Sequence, residues 1–155
     1  MKAISLLLFF LVLSAAPRAV AGEVAVIVNR ENPVDELAYD QLVKIFKQEK
    51  QHWSDGRPIY LIMQEAGSPE KELVLKRVFK MDQEELKKFW LARIFRGEIS
   101  SFPKTLGSNA AVRRFVGQVA VAIGFIDPSA ADQSVKVLRI DGKLPGDKGY
   151  LLADR

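Results

Sequence analysis

The amino-acid sequence predicts a single α/β domain with three layers, in which helices cover both faces of a sheet. Two observations predict this class. Short apolar runs, typical of buried strands, alternate with segments whose apolar residues recur every three or four positions, which is the pattern of amphipathic helices. No repeat, low-complexity segment or linker divides the 155 residues, a length that suits one domain with its own core. Strand-helix alternation of this kind indicates an α/β sandwich rather than a helical bundle.

An export signal is predicted at the N-terminus. Lys2 provides a positive charge, residues 3–16 are apolar, and the alanines before position 22 are the small residues that signal peptidase reads. The apolar segment is shorter than the roughly 20 residues that cross a bilayer, so we expect cleavage after Ala21 rather than anchoring. The predicted organisation is a signal peptide over residues 1–21 and a mature domain over residues 22–155, which is periplasmic and not inserted in the membrane.

Composition excludes several kinds of site. The absence of cysteine excludes disulfides, thiolate catalysis and cysteine-ligated metals, and His52 is the only histidine. The formal charge of +4 falls to +2 after cleavage, because two of the 23 basic residues and none of the 19 acidic residues precede Gly22. Nucleic-acid binding needs a denser basic patch with interleaved aromatic residues. We therefore expect no metal, no cofactor and no nucleic-acid partner.

Residues 59–79 combine a strand, a turn and a helix. The apolar run over residues 59–63 suits a strand covered on both faces, and Gly67 then interrupts it. Ser68 is a good N-cap, and Pro69 fits the first helical position. Such a turn directs backbone N–H groups and the positive end of a helix dipole at one point, which is how α/β proteins hold phosphate or carboxylate. The alternative is that Ser68 only caps the helix.

A strand and a helix precede this segment. Residues 23–28 form an apolar strand that ends at Asn29, and Pro33 marks the loop after it. Residues 39–47 then have a helical pattern. The apolar face of that helix consists of Leu42, Ile45 and Phe46.

Two further helices follow residue 79. Asp82 and Glu85 form a capping-box-like pair that begins the first helix, and Gly97 is its expected end. The apolar and aromatic face of this helix predicts core packing. A second Gly-Ser pair begins the next helix at Ser108, which makes Ser108 a second candidate for anion contact, although such a pair is also a common helix cap.

Two further strands are predicted near the C-terminus, and the first of them contains a glycine. Gly124 lies inside the apolar run of residues 120–126, where a glycine indicates a bulge or the close approach of another backbone. Residues 135–140 alternate as a final strand. Asp141 and Gly142 then turn the chain into a segment predicted to be a polar tail.

Several of these pieces, taken in order, resemble one known family. They are Leu42-x-x-Ile45-Phe46, Trp53-Ser54-Asp55-Gly56, Gly67-Ser68 before a helix that ends at Phe79, Phe89-Trp90, and Ala122-Ile123-Gly124-Phe125-Ile126. Over residues 24–140 the sequence is similar to the phosphate-binding-protein-like group of periplasmic substrate-binding proteins, which serve ABC transporters. The resemblance implies one lobe of a type 2 periplasmic binding protein, with phosphate or another small anion as ligand. It also implies an ABC transporter permease or another envelope protein as partner.

The sequence departs from this family at the phosphate turn. The family's turn reads Arg-x-x-Gly-Ser-Gly-Thr, and the matching positions here are Gln64, Gly67, Ser68, Pro69 and Glu70. Gln64 lacks the charged fork of an arginine, Pro69 lacks a backbone donor, and Glu70 adds a negative charge to the first helical turn. The resemblance thus implies Ser68, Gly67, Gln64 and Glu70 as the ligand-binding residues of a weakened phosphate receptor.

Two functions are open from the sequence. The first is an exported binding protein for phosphate or a small anion, received by Ser68 and the turn that follows it. The alternative is an envelope protein-interaction module that keeps the fold without a ligand. The candidates for its contact face are the ring side chains of His52, Trp53 and Phe102. An enzyme is not predicted, since no metal-ligand cluster, nucleophile elbow or Walker loop accompanies the single histidine.

Overall fold

The computed structural model describes residues 22–154. The predicted signal peptide, residues 1–21, lies outside the described residues. Within residues 22–154, no helix has both the length and the apolar composition that crossing a membrane requires.

Residues 22–154 contain seven strands, most of them in one sheet. They are β1 (Ala25–Asn29), β2 (Glu36–Leu37), β3 (Tyr60–Gln64), β4 (Lys104–Leu106), β5 (Ala122–Ile126), β6 (Val135–Val137) and β7 (Arg139–Ile140). The main sheet has the order β4-β3-β5-β1-β6, and β2 pairs with β7 in a separate sheet. β3 runs parallel to β4 and β5, whereas β1 runs antiparallel to β5 and β6. The sheet is therefore mixed, and its parallel half is built around β3.

Four α-helices cover the sheet within the same residues. They are α1 (Tyr39–Phe46), α2 (Pro69–Val74), α3 (Gln83–Phe95) and α4 (Asn109–Gln118). α2 continues directly into a π-helical turn, Leu75–Phe79, and a short 3-10 turn, Pro128–Ala130, follows β5. The helix predicted to end at Phe79 therefore ends there, with a last turn wider than an α-helix.

Hydrophobic clusters lie on both faces of the sheet. The larger cluster packs α1, α2 and α3 against one face and includes Phe46, Phe79 and Trp90. The smaller cluster packs α4 against the other face through Val112 and Val116. Alternate residues of β1 and β3 enter the two clusters, as the period of a strand requires. The predicted three-layer α/β class is thereby confirmed.

The C-terminal part of the chain differs from its prediction. The strand expected over residues 135–140 is divided at Leu138, so that β6 joins the main sheet and β7 pairs with β2. The segment after Gly142, which was expected to be a polar tail, packs on the core and buries Tyr150 and Leu152. The Tyr150 hydroxyl donates to the carbonyl of Val24 (2.8 Å), and the Val24 backbone N–H donates to the carbonyl of Leu152 (2.9 Å).

The close approach of α4 accounts for Gly124. A Cβ added at this position would lie 2.8 Å from Cγ1 of Val112. β5 has no bulge here, since its pairing with β1 is continuous from Ile123 to Ile126. The close approach expected from another backbone is instead made by a side chain of the helix.

Candidate functional site

The turn after β3 has the predicted conformation. Gly67 has a φ of 87°, in the left-handed region that favours glycine. Ser68 then begins α2 in an extended conformation, and its Oγ accepts a hydrogen bond from the backbone N–H of Lys71 (3.1 Å). Pro69 occupies the first helical turn, as expected. The helix cap is confirmed, and the Ser68 hydroxyl still has its own proton to donate.

Asn109, the first residue of α4, connects four elements. Its Oδ1 accepts hydrogen bonds from Nε2 of Gln64 (2.8 Å) and from the backbone N–H of Asp127 (3.1 Å), which follows β5. Its Nδ2 donates to Oε1 of Glu70 (2.8 Å) in the first turn of α2. The ends of β3 and β5 and the starts of α2 and α4 therefore meet at one side-chain amide.

Gln64 forms the strand side of this arrangement. It is only 2 % exposed, and its Nε2 donates to the carbonyl of Phe125 (3.0 Å) as well as to Asn109. Both protons of the amide are thus used inside the protein. Where the resembling family has an anion-contacting arginine, this chain has a buried amide that connects β3 to β5 and α4.

Glu70 places a carboxylate between the two helix starts. It is the second residue of α2, where the helix dipole and unpaired N–H groups favour negative charge. Its Oε1 also accepts a hydrogen bond from Asn109 at the start of α4. The point at which an oxyanion would meet both N-termini therefore already holds a carboxylate of the chain itself.

A cavity of about 440 Å³ opens beside Glu70 and is rich in carboxylates. Its charged lining residues are Glu23, Glu70, Glu72, Lys76, Asp127 and Asp154. Lys76 forms an ion pair with Asp154 (2.7 Å), and this hydrogen bond lowers the pKa of the Asp154 carboxyl below its ordinary value. A phosphate dianion inside this cavity would be repelled by the remaining carboxylates, because screening is weak at separations below ~8 Å. No group of three or more metal-type ligands occurs within residues 22–154.

The other residues predicted from the sequence have different environments. Ser108 caps α4, and its Oγ accepts a backbone N–H of the first turn (3.0 Å), so it lies directly beside Asn109. Trp53 is buried and donates from Nε1 to the carbonyl of Val121 (3.1 Å), which excludes it from an exposed contact face. His52 is exposed, and Phe102 is 47 % exposed.

Sequence reasoning missed two residues of this region, Asn109 and Lys71. Asn109 is 45 positions from Gln64, so no local pattern connects them. Lys71 follows the predicted cap at a position where helical lysines are usually solvated, yet it is only 5 % exposed. A lysine facing the apolar side of a predicted helix was the available signal.

Residues 16–88 match the model of a family described as a PBP superfamily domain. This stretch includes β3, the turn at Gly67 and Ser68, and α2.

Three solved structures share the fold. An ABC-type phosphate transport receptor from Vibrio cholerae gives a TM-score of 0.69 at 21 % identity, covering 85 % of this chain and 53 % of that one. PstS from Borrelia burgdorferi gives 0.68 at 16 % identity, covering 86 % and 55 %. A protein from Clostridium perfringens, described as a phosphate ABC transporter substrate-binding protein and solved with bound phosphate, gives 0.64 at 22 % identity, covering 78 % and 46 %.

The chain spans about half the length of these solved structures. The family match and the shared fold confirm the resemblance predicted from the sequence. The matched structures are described as substrate-binding or receptor proteins, which is a class of binding proteins rather than enzymes.

Proposed function

We propose that this chain, which matches a PBP superfamily domain over residues 16–88, is an exported binding protein of the phosphate-binding-protein type. Its ligand is a small oxyanion of the phosphate class, held between the starts of α2 and α4. The observation that carries the proposal is the 2.8 Å contact between Glu70 and Asn109, because this point already accommodates a carboxylate oxygen.

The oxyanion would use donors at the two helix starts. Ser68 has a hydroxyl proton to donate, and the backbone N–H of Glu70 lies in the first turn of α2, where N–H groups have no helical partner. Nδ2 of Asn109 is the third donor. A hydrogen bond to a charged group contributes about 1.5–3 kcal/mol, so three such donors support measurable binding if the position is free.

Glu70 therefore controls the affinity. Its carboxylate competes with a bound anion for Nδ2 of Asn109 and repels that anion at short distance. Glu70 also lines the 440 Å³ cavity beside the turn, which gives its side chain space to move aside. We expect weak phosphate binding by the wild-type chain and much tighter binding when the charge of Glu70 is removed.

Calorimetric titration with phosphate tests the proposal. Glu70→Gln should bind phosphate at least tenfold more tightly than the wild-type protein, a gain of about 1.4 kcal/mol in binding free energy. Glu72→Gln is the matched control, because Glu72 lines the same cavity but has no hydrogen bond to Asn109 among residues 22–154. If neither the wild-type protein nor Glu70→Gln binds phosphate or sulfate, the proposed function is wrong. Equal gains in the two variants would exclude the site at Asn109.

One surface feature favours a second function, that of an envelope protein-interaction module. Phe95 in α3 is 90 % exposed, and Leu91, one turn earlier, is 37 % exposed. Neighbouring large apolar side chains on one helix face are typical of a protein contact. On this hypothesis the chain associates with a second copy of itself through α3.

Light scattering at several protein concentrations tests this second function. Phe95→Glu should abolish a concentration-dependent dimer, whereas Leu151→Ser, at an exposed apolar residue outside α3, should leave it unchanged. A monomer at every concentration would reject self-association.

We also infer that residues 1–21 direct export and are removed. The intact mass of the protein recovered from a periplasmic fraction should correspond to a chain that begins at Gly22. A mass that includes residues 1–21, or recovery only with the cytoplasm, would contradict this inference.

A further inference from the structure

Among residues 22–154, Lys71 is a buried cation without a carboxylate partner. Lys71 is only 5 % exposed, and its Nζ donates one hydrogen bond, to the carbonyl of Gln64 (3.2 Å). An ammonium group has three protons to donate. No ion pair with Lys71 occurs within residues 22–154, and Glu72 is near enough to favour its charge only through space. A buried charge normally has a partner, so Lys71 requires an explanation.

A cavity of about 100 Å³ lies beside Lys71. Its lining includes the apolar side chains of Met63, Leu86, Trp90 and Phe102. A single water needs about 10–15 Å³ of such space, so the cavity has room for several waters or for a small organic molecule. Phe102 is 47 % exposed, which gives a ligand access from that side.

A second polar group in this cavity lacks a partner. Gln83, which also lines it, has a buried Oε1, a hydrogen-bond acceptor, with no partner within residues 22–154. Buried side-chain amides are almost always hydrogen-bonded, so an unpaired one indicates an absent partner. Because the two ends of an amide are nearly equal in shape, rotation can present the NH₂ of Gln83 to the same space.

We propose that this cavity binds a small monocarboxylate with a short apolar tail. The carboxylate of the ligand accepts hydrogen bonds from Nζ of Lys71 and, with the Gln83 amide rotated, from Nε2 of Gln83, and its tail packs on Trp90 and Met63. The buried ammonium of Lys71 and the exposed Lys87, which also lines the cavity, favour a negative charge, and the apolar walls favour a ligand with a hydrocarbon tail. Burial lowers the pKa of the Lys71 ammonium, and a bound carboxylate would offset that effect.

This site is separate from the one proposed at Asn109. Met63 belongs to the cluster that packs α1 to α3 on one face of the sheet, whereas α4 packs on the other face. The inference therefore does not depend on phosphate binding, and the two can fail independently.

The two tryptophans provide the test. Trp90 lines the cavity, and Trp53 donates to Val121 away from it, so each indole N–H gives a separate signal in a ¹⁵N NMR spectrum. Titration with propionate should shift the Trp90 signal with saturation and leave the Trp53 signal unchanged. Propionamide, the neutral analogue, and sodium chloride at the same ionic strength should shift neither signal. An unmoved Trp90 signal, or equal shifts with propionate and propionamide, would overturn the proposal.

Lys71→Met and Lys88→Met complete the experiment. Lys71→Met should weaken propionate binding at least tenfold. Lys88→Met, at an exposed lysine of α3, is the matched control for lost charge and should bind propionate like the wild-type protein. If Lys71→Met does not fold, Gln83→Leu replaces it, and undiminished propionate binding in the variant used would overturn the proposal.

Discussion

Nδ2 of Asn109 donates a 2.8 Å hydrogen bond to Oε1 of Glu70, 39 positions earlier in the chain. The bond joins the first turns of α2 and α4, while Oδ1 of the same amide accepts from Gln64 and Asp127. One side chain thus determines how two helix starts are placed at the ends of β3 and β5. It also explains how a candidate oxyanion site keeps its shape without a ligand, because an internal carboxylate satisfies the donor.

Asn109→Ala should destabilise the protein more than the loss of a helix cap. The change removes the acceptor of the buried Gln64 amide, and an unpaired buried group costs about 1–3 kcal/mol. It also removes the acceptor of the half-buried Asp127 backbone N–H. Urea unfolding measures the free energy of unfolding. Ser108→Ala, at the adjacent cap, should lose only about 1 kcal/mol. Equal losses in the two variants would contradict the central role of Asn109.

Ser68→Ala separates the cap from the receptor. As a cap, Ser68 accepts the Lys71 backbone N–H, so its removal should lower the free energy of unfolding by about 0.5–2 kcal/mol. As a receptor, it should also be required for phosphate binding by the Glu70→Gln variant. The double variant Ser68→Ala, Glu70→Gln is compared with Glu70→Gln by calorimetry. Unchanged phosphate affinity in the double variant would assign Ser68 to the cap alone.

Local signals in the sequence predicted the helix starts correctly. Ser68, Asp82 and Ser108 all accept the backbone N–H three residues later, and Glu85 completes a capping box with Asp82. A cap depends on side chains within one turn, so a single stretch of sequence contains all the information. The same applies to the buried face of α1, whose apolar residues were predicted from their spacing.

The features that the sequence did not predict depend on contacts between residues that are far apart in the chain. β2 and β4 have only two or three residues each, too few for a recognisable pattern, and β7 was predicted as part of one strand over residues 135–140 because its pairing with the distant β2 has no local signal. Tyr150 was placed in a polar tail because its neighbours are polar, yet its hydroxyl reaches Val24, 126 positions away. At the candidate site, Gly67 and Ser68 followed from turn chemistry, whereas the Glu70 contact required the position of α4.

Tyr150→Phe should change how stability depends on pH. Burial raises the pKa of the Tyr150 hydroxyl above its ordinary value of 10.0, so the folded protein retains this proton after the unfolded chain has lost it. The stability that Tyr150 contributes is therefore fully present below pH 10.0 and is lost as the pH rises through the folded-state pKa.

At neutral pH, Tyr150→Phe should lower the free energy of unfolding by about 1 kcal/mol, because the hydrogen bond to Val24 is lost. Above pH 10.0 the difference between the two proteins should shrink and then reverse. Urea unfolding at several pH values measures both. A constant difference across this range would show that the Tyr150 proton is not linked to folding.

Gly124→Ala should lower the free energy of unfolding, mainly through a close contact with Val112. The added methyl would lie 2.8 Å from Cγ1 of Val112 and 3.4 Å from Cγ2 of Val116, so α4 must move away from β5. Overpacking of this kind costs about 1–3 kcal/mol. At Gly107 the nearest atoms to an added methyl belong to the flexible side chain of Glu65, at 3.3 Å, so Gly107→Ala is the matched control and should change the free energy of unfolding by less than ~1 kcal/mol.

A double-mutant cycle tests the contact with Val112 directly. By itself, Val112→Ala creates a cavity. In combination with Gly124→Ala, it removes the atom that the new methyl would meet. The double variant should therefore be less destabilised than the two single variants added together, by at least about 0.5 kcal/mol. Additive losses would mean that the strain at position 124 is relieved elsewhere, and the packing of α4 on β5 would not be the reason for a glycine in this strand.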